Sequence, residues 1–126
     1  MSGKNKILLV EDDEFLSRAY SDGLSRAGLE VDVARDGGEA MEQVKEEKPD
    51  LILLDLVMPT KNGFEVLEEL RMDDDLKKIP VMILTNLGQD SDIEKGKNLG
   101  AIDYLIKTDL SMKEVIEKVK YHLAKG

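Results

Sequence analysis

Cysteine is absent from the chain, which excludes disulfides, thiol catalysis and thiolate metal ligation. No apolar run approaches the roughly 20 residues needed to span a bilayer, so no membrane insertion is expected. The opening Met1-Ser2-Gly3-Lys4-Asn5-Lys6 runs straight into an apolar stretch without a signal-peptide core. A cytoplasmic location is the default expectation. Basic residues are the minority, 18 against 27 acidic, for a formal net charge of −9. Most of this surface repels a phosphate backbone, and no basic stripe with interleaved aromatics relieves the repulsion. Direct nucleic-acid binding is therefore not expected. No repeat, low-complexity tract or linker divides the chain, and its length fits one domain over residues 1–126.

Against these absences stand four short apolar runs, each stopping at a reactive polar residue. Ile7-Leu8-Leu9-Val10 stops at Glu11-Asp12, and Leu51-Ile52-Leu53-Leu54 stops at Asp55. Val81-Met82-Ile83-Leu84 stops at Thr85, and Tyr104-Leu105-Ile106 stops at Lys107. Runs of this length between turn signals read as buried parallel strands. In an open α/β sheet, ligands bind just beyond the carboxyl ends of the strands. Parallel alignment therefore gathers three carboxylates, a hydroxyl and an ammonium at one edge. That set suits a metal ion and a phosphoryl group.

Strand and helix alternate about five times. Strands are expected at Lys6–Val10, near Glu30–Ala34, at Leu51–Leu54, after Pro80, and at Ile102–Ile106. Between and after them, helices are expected over Glu14–Ala27, Gly37–Glu47, Gly63–Arg71, Asp90–Leu99 and from Ser111 onward. Leu16, Tyr20 and Leu24 recur on one face of the first helix, and Gly28 follows as a left-handed cap. Asp36 caps the second helix, which turns Ala40, Met41 and Val44 inward. Phe64, Leu67 and Leu70 form the third stripe. The fourth helix has only Ile93 and Leu99 clearly inward and reads as the least stable. Ser111 and Glu114 form a capping box for the last helix, whose buried face is Val115, Ile116, Val119 and Leu123. The alternation implies an α/β fold with right-handed crossovers, in which the flavodoxin-like (βα)5 order 2-1-3-4-5 sets the two apolar-rich strands side by side.

Taken in order, the stretches Ile7–Asp12, Leu51–Gly63, Ile79–Thr85 and Gly100–Lys107 resemble the receiver domain of two-component response regulators. The stand-alone chemotaxis regulator and the short phosphorelay receivers are the family members most similar in size. The resemblance implies that Asp55 is the phosphoacceptor. It implies a Mg²⁺ (or Mn²⁺) site made by Asp12, Asp55, the Val57 backbone carbonyl and, through water, Glu11. Thr85 then hydrogen-bonds the phosphoryl group, Lys107 pairs with one of its oxygens, and Tyr104 is the aromatic that changes rotamer with Thr85. The implied partners are a sensor histidine kinase or histidine phosphotransfer protein upstream and a protein target downstream. The surface of the fourth helix, fifth strand and last helix is the part that rearranges. Phe15, off the first helix's apolar stripe, is the candidate docking residue, with a local helix staple as its alternative. A stand-alone receiver is expected, because the last helix ends at Gly126.

Each residue type fits that chemistry. Three close carboxylates repel, and a hard divalent cation with oxygen ligands removes the repulsion. Asp55 can then attack phosphorus and form an acyl phosphate. Asp13 and Glu14 read as helix-capping groups, and His122 as a surface residue. Five positions depart from or tune the pattern. Glu11 replaces the commoner aspartate. Thr108 stands where a proline preceded by a cis bond is usual. A cis bond before Thr108 would cost about 3–4 kcal/mol, so either the loop is trans or its surroundings hold it. Asn86 stands where a small residue is usual and narrows access to Asp55. Val57 and Leu87 are apolar and cannot orient a water, so self-dephosphorylation is expected to be slow. These departures leave open a receiver-like binding module that does not use phosphorylation. A phosphatase acting on external substrates would need a second acid and a substrate cap, and neither is evident. The chain is therefore not expected to be an enzyme beyond its own phosphorylation and dephosphorylation.

Overall fold

The computed structural model describes residues 5–125. Residues 1–4, which carry most of the opening read as free of a signal peptide, and residue 126 lie outside them. The elements are β1 Lys6–Val10, α1 Glu14–Arg26, β2 Glu30–Ala34, α2 Gly37–Glu46, β3 Leu51–Leu54 and α3 Gly63–Arg71. Then come β4 Val81–Thr85, α4 Asp90–Asn98, β5 Asp103–Ile106 and α5 Met112–Lys125, with a single 3₁₀ turn at Lys107–Asp109. All four strand pairings are parallel, in the order β2-β1-β3-β4-β5.

Helices cover both faces of the sheet, which is why every residue of β3 and β4 is buried. Alternate residues of each strand feed opposite layers. Leu8, Val10, Ile52, Leu54 and Ile83 pack with Ala40, Met41 and Val44 of α2 and Val66, Leu67 and Leu70 of α3. Ile7, Leu9, Leu51, Leu53, Met82 and Leu84 pack with Tyr20 and Leu24 of α1 and Val115 and Val119 of α5. Each fully buried leucine in these layers contributes roughly 1.5–3 kcal/mol. Edge strand β2 shows the alternation expected of it, with only Ala34 buried.

Local signals place the helix ends. Asp13 accepts from Leu16 N at 2.9 Å, and Asp36 from Glu39 N at 2.8 Å. Ser111 and Glu114 form the expected box, with mutual bonds of 2.9 and 3.1 Å. A second box at Asn62 and Glu65 starts α3, and its Asn-x-x-Glu spacing is visible in the sequence. Gly28 has φ +95°, the left-handed cap expected after α1. Phe64 is only half-buried, because Val66 takes the inward position on α3. Likewise α4 buries only Gly96, with Ile93 and Leu99 half-buried. His122, expected at the surface, is half-buried: its side chain is 17% exposed and Nε2 lies 2.9 Å from Asp103 Oδ2, tying α5 to β5. Among the described residues no helix is long and apolar enough to cross a membrane.

Candidate functional site

The parallel register brings the carboxyl ends of β1, β3, β4 and β5 together. Val10 pairs with Leu54, Leu54 with Ile83, and Thr85 with Ile106. The residue after each strand end therefore lands at one rim. Glu11, Asp12, Asp55, Val57, Thr85, Asn86 and Lys107 line a single open depression there, with Asp13 and Leu16 beside them. Seven sequence-predicted site residues thus converge.

Three carboxylates define its floor. Glu11, Asp12 and Asp55 each offer an oxygen within 4.8 Å of the others. Glu11 and Asp55 are buried, at 2% and 6% exposure, whereas Asp12 is exposed. Asp12 is thus open to a hydrated cation, while the other two hold fixed positions. Glu11 Oε2 accepts from Asp13 N at 3.1 Å, and Asp55 Oδ1 from Val57 N at 3.2 Å. This all-oxygen donor set matches a hard divalent ion rather than a soft one. Glu11, Asp12 and Asp55 are the groups that would hold it.

Lys107 supplies the opposing charge. Its Nζ donates to Glu11 and to Asp55 Oδ2, the latter at 2.9 Å. Burial works against the lysine's charge, but the bonds to Glu11 and Asp55 outweigh it and hold its pKa above the ordinary value. Burial pushes the Glu11 carboxyl up, and Lys107 and the Asp13 N–H only partly offset this, while the Asp55 charge adds to it. The two directions are consistent: one ammonium serves two carboxylates, so it gains more than either of them. The peptide bond between Lys107 and Thr108 is trans, which answers the question raised by the missing proline.

Thr85 is fully buried, and its Oγ1 accepts from Leu87 N at 3.4 Å. Tyr104 does not line the depression. Its hydroxyl instead donates to the Leu87 carbonyl at 2.5 Å, which fixes the loop carrying Thr85, Asn86 and Leu87. Burial, then the charges of Asp92 and Asp55, push that hydroxyl up to about 12, so it stays a donor at neutral pH. Phe15 stands on α1 between Asp13 and Leu16, which both line the depression, at 77% exposure, and Val57 is 57% exposed where it lines the same depression. Together they put apolar surface beside the acidic pocket. Gly63 closes the loop below Val57, donating from its N to Leu56 O at 3.0 Å. A Cβ there would stand 2.7 Å from Leu56 Cα, so only glycine fits. The sequence marks Gly63 only as the turn after Asp55 and the start of the third helix, and Gly96 not at all, since close approach leaves no trace in hydrophobic periodicity.

Comparison with known proteins agrees with this geometry. The family model for the response regulator receiver domain matches residues 7–120. A probable transcriptional regulator, ycf29 of Porphyra purpurea, is 45% identical over 101 residues, covering 80% of this chain and 48% of that protein. The chain spans about half the length of the curated relatives it matches. The solved Mn²⁺-bound form of response regulator Rcp1 superposes with a TM-score of 0.85 at 36% identity, covering 94% of both chains. Chemotaxis protein CheY4 of Vibrio cholerae superposes at 0.87 with 29% identity, covering 94% of this chain and 98% of that one.

Proposed function

The chain belongs to the response regulator receiver domain family of two-component signalling, and from that membership we propose that it is a switch set by phosphorylation of Asp55. The observation that carries the proposal is the convergence on Asp55. Lys107 and the Val57 N–H fix its two oxygens, at 2.9 and 3.2 Å, and a second and third carboxylate stand within 4.8 Å. A carboxylate held this way is aimed and charge-compensated before any donor arrives.

In the reaction proposed, an Asp55 oxygen attacks the phosphorus of a phosphohistidine or small acyl phosphate. The bond from phosphorus to the donor nitrogen or oxygen breaks, and the donor leaves with that electron pair. Lys107 then holds one phosphoryl oxygen, and the Thr85 hydroxyl donates to another. A bound Mg²⁺ or Mn²⁺ would supply positive charge against the phosphoryl oxygens and the acidic floor. Glu11, Asp12, Asp55 and the Val57 carbonyl are its proposed holders. The Mn²⁺-bound form of Rcp1, a related receiver of similar extent, supports that part of the reading.

The donor proposed is a sensor histidine kinase or a histidine phosphotransfer protein, docking on Phe15 and Val57 beside the acidic pocket. The state of Asp55 is read out by a protein target on the surface of α4, β5 and α5. The net charge of −9 argues against direct contact between this domain and nucleic acid. A cytoplasmic setting follows from the proposed kinase partner. The test is intact mass after incubation with a small acyl-phosphate donor, with and without Mg²⁺, on wild type and Asp55→Asn. A Mg²⁺-dependent gain of one phosphoryl group, lost in the variant, is the expected result. No gain in the wild type would favour a module that binds its partner without phosphorylation, and then Asp55→Asn would bind equally well.

A further inference from the structure

Helix α4 buries one residue, Gly96, two positions before its end at Asn98. Glycine weakens a helix interior relative to alanine, and this helix has no side-chain hydrogen bond at its N-cap, Gln89. A glycine in such a helix therefore calls for a packing reason. The reason is on the neighbouring strands. A Cβ at position 96 would stand 2.6 Å from Ile83 Cδ1 and 3.2 and 3.3 Å from Tyr104 Cδ2 and Cε2. Ile83 is fully buried in the core between sheet and helices, so its methyl has little room to retreat. The Tyr104 ring thus lies against bare helix backbone, and from that seat its hydroxyl reaches the Leu87 carbonyl at 2.5 Å. Leu87 N in turn lies 3.4 Å from Thr85 Oγ1, in the depression around Asp55.

We propose that Gly96 is a positioning residue: its missing side chain seats Tyr104 on α4 and so couples that helix, through Leu87, to the Thr85 loop beside Asp55. The coupling to Asp55 rests on the phosphorylation reading above, whereas the seat itself does not. A side chain at position 96 lifts either the ring or the helix and releases Leu87.

Hydrogen exchange across residues 85–98 tests this on the full chain, comparing wild type, Gly96→Ala, Tyr104→Phe, the double variant, and Gly96→Ala combined with Ile83→Val. Helix propensity alone makes α4 of Gly96→Ala exchange more slowly. The proposal requires the opposite sign, with Leu87 and α4 exchanging faster by on the order of tenfold. Tyr104→Phe should show the same rise at Leu87, and the double variant should add nothing further. Ile83→Val removes the Cδ1 that clashes, so it should return part of the protection. Unchanged or slower exchange in Gly96→Ala, or an effect that adds in full to that of Tyr104→Phe, would overturn the seat. Intact mass after an acyl-phosphate donor and Mg²⁺ runs alongside. With uptake, phosphorylation should change α4 exchange in wild type and do so less in Gly96→Ala, and an equal change in both would overturn the coupling. No uptake by wild type would remove the link to Asp55 and leave the seat to be judged by exchange in the unmodified protein.

Discussion

Lys107 Nζ lies 2.9 Å from Asp55 Oδ2, across 52 residues of sequence, and shares its charge with Glu11. The lysine and Asp55 side chains are each 8% exposed and that of Glu11 is 2% exposed. Removing one partner of such a buried set leaves charge that water cannot reach, a loss of about 3–5 kcal/mol. Lys107→Met should therefore be destabilised by that order at neutral pH without divalent cations. Protonation relieves uncompensated carboxylates, so the deficit should shrink as pH falls towards about 5. Urea unfolding in chelator at both pH values checks this. Full stability at neutral pH would mean that attraction within the cluster only balances its desolvation.

Much of this arrangement was legible in the chain because apolar runs that end in a charged residue carry both fold and site at once. Leu54 before Asp55 marks a buried strand and the residue at its carboxyl end together. The parallel sheet followed from the alternation and its order from setting the two apolar-rich strands side by side, and Asp36 and Ser111 announced their helices. What escaped was tertiary. Nothing in the local sequence around His122 signals that Asp103, on β5, will meet it. Arg71 sits in an ordinary helix end, yet it donates to the carbonyls of Lys77 and Gly100 at 2.8 and 2.9 Å, stapling two distant turns. Close approach at Gly63 and Gly96 was equally silent, since a glycine there looks like any turn or weak helix residue.

Gly63→Ala should be costly out of proportion to the methyl added. The added Cβ meets the backbone at Leu56 Cα, 2.7 Å away, and backbone cannot rotate aside. Overpacking of this kind costs about 1–3 kcal/mol. The strain falls on the loop that carries Val57, whose N–H holds Asp55. Phosphoryl uptake should slow together with a lower urea midpoint. A variant within about 0.5 kcal/mol of wild type, with an unchanged uptake rate, would show that the α3 entry is freer than its packing implies.

Glu11→Gln separates the burial of a charge from its use. The folded Glu11 carboxyl is raised, chiefly by burial, so its ionisation opposes folding. The sign follows directly. Stability from this group is fully present below the unfolded glutamate value of about 4.3 and is lost as pH rises through the folded value. In chelator, the stability of Glu11→Gln relative to wild type should therefore rise with pH across that window and stay flat below it. Binding of Mg²⁺ should weaken in the same variant, because a neutral amide is a poorer ligand. Opposite pH dependence would show that the Lys107 bond dominates Glu11 after all.

Acyl-phosphate lifetime should depend on Val57. It is 57% exposed and lines the depression, and Leu87, two residues beyond Thr85, is half-buried. Neither can hydrogen-bond a water in line with the phosphorus, and general-base or water-orienting groups typically contribute about 10²–10⁴-fold. Val57→Asn offers one such group and should shorten the lifetime at least severalfold without changing the extent of Mg²⁺-dependent uptake. Decay measured by intact mass after donor removal decides it. Equal lifetimes would move control of hydrolysis to Asn86, the exposed neutral polar side chain lining the depression.

Phe15 provides the sharpest separation of docking from chemistry. Its ring is 77% exposed on α1, outside the depression, and it belongs to neither core layer. Truncating it therefore leaves Asp55, Lys107 and the acidic floor untouched, and stability should change by less than about 0.5 kcal/mol. An exposed aromatic next to a charged pocket is the type of residue that anchors a protein partner, where its loss costs on the order of 2 kcal/mol. Phe15→Ala should thus slow transfer from a phosphorylated histidine kinase or phosphotransfer protein by more than tenfold. Uptake from a small acyl phosphate, which needs no docking surface, should proceed at the wild-type rate. Equal slowing with both donors would place Phe15 in the stability of the β1–α1 turn instead, and the docking surface would then have to be sought around Val57.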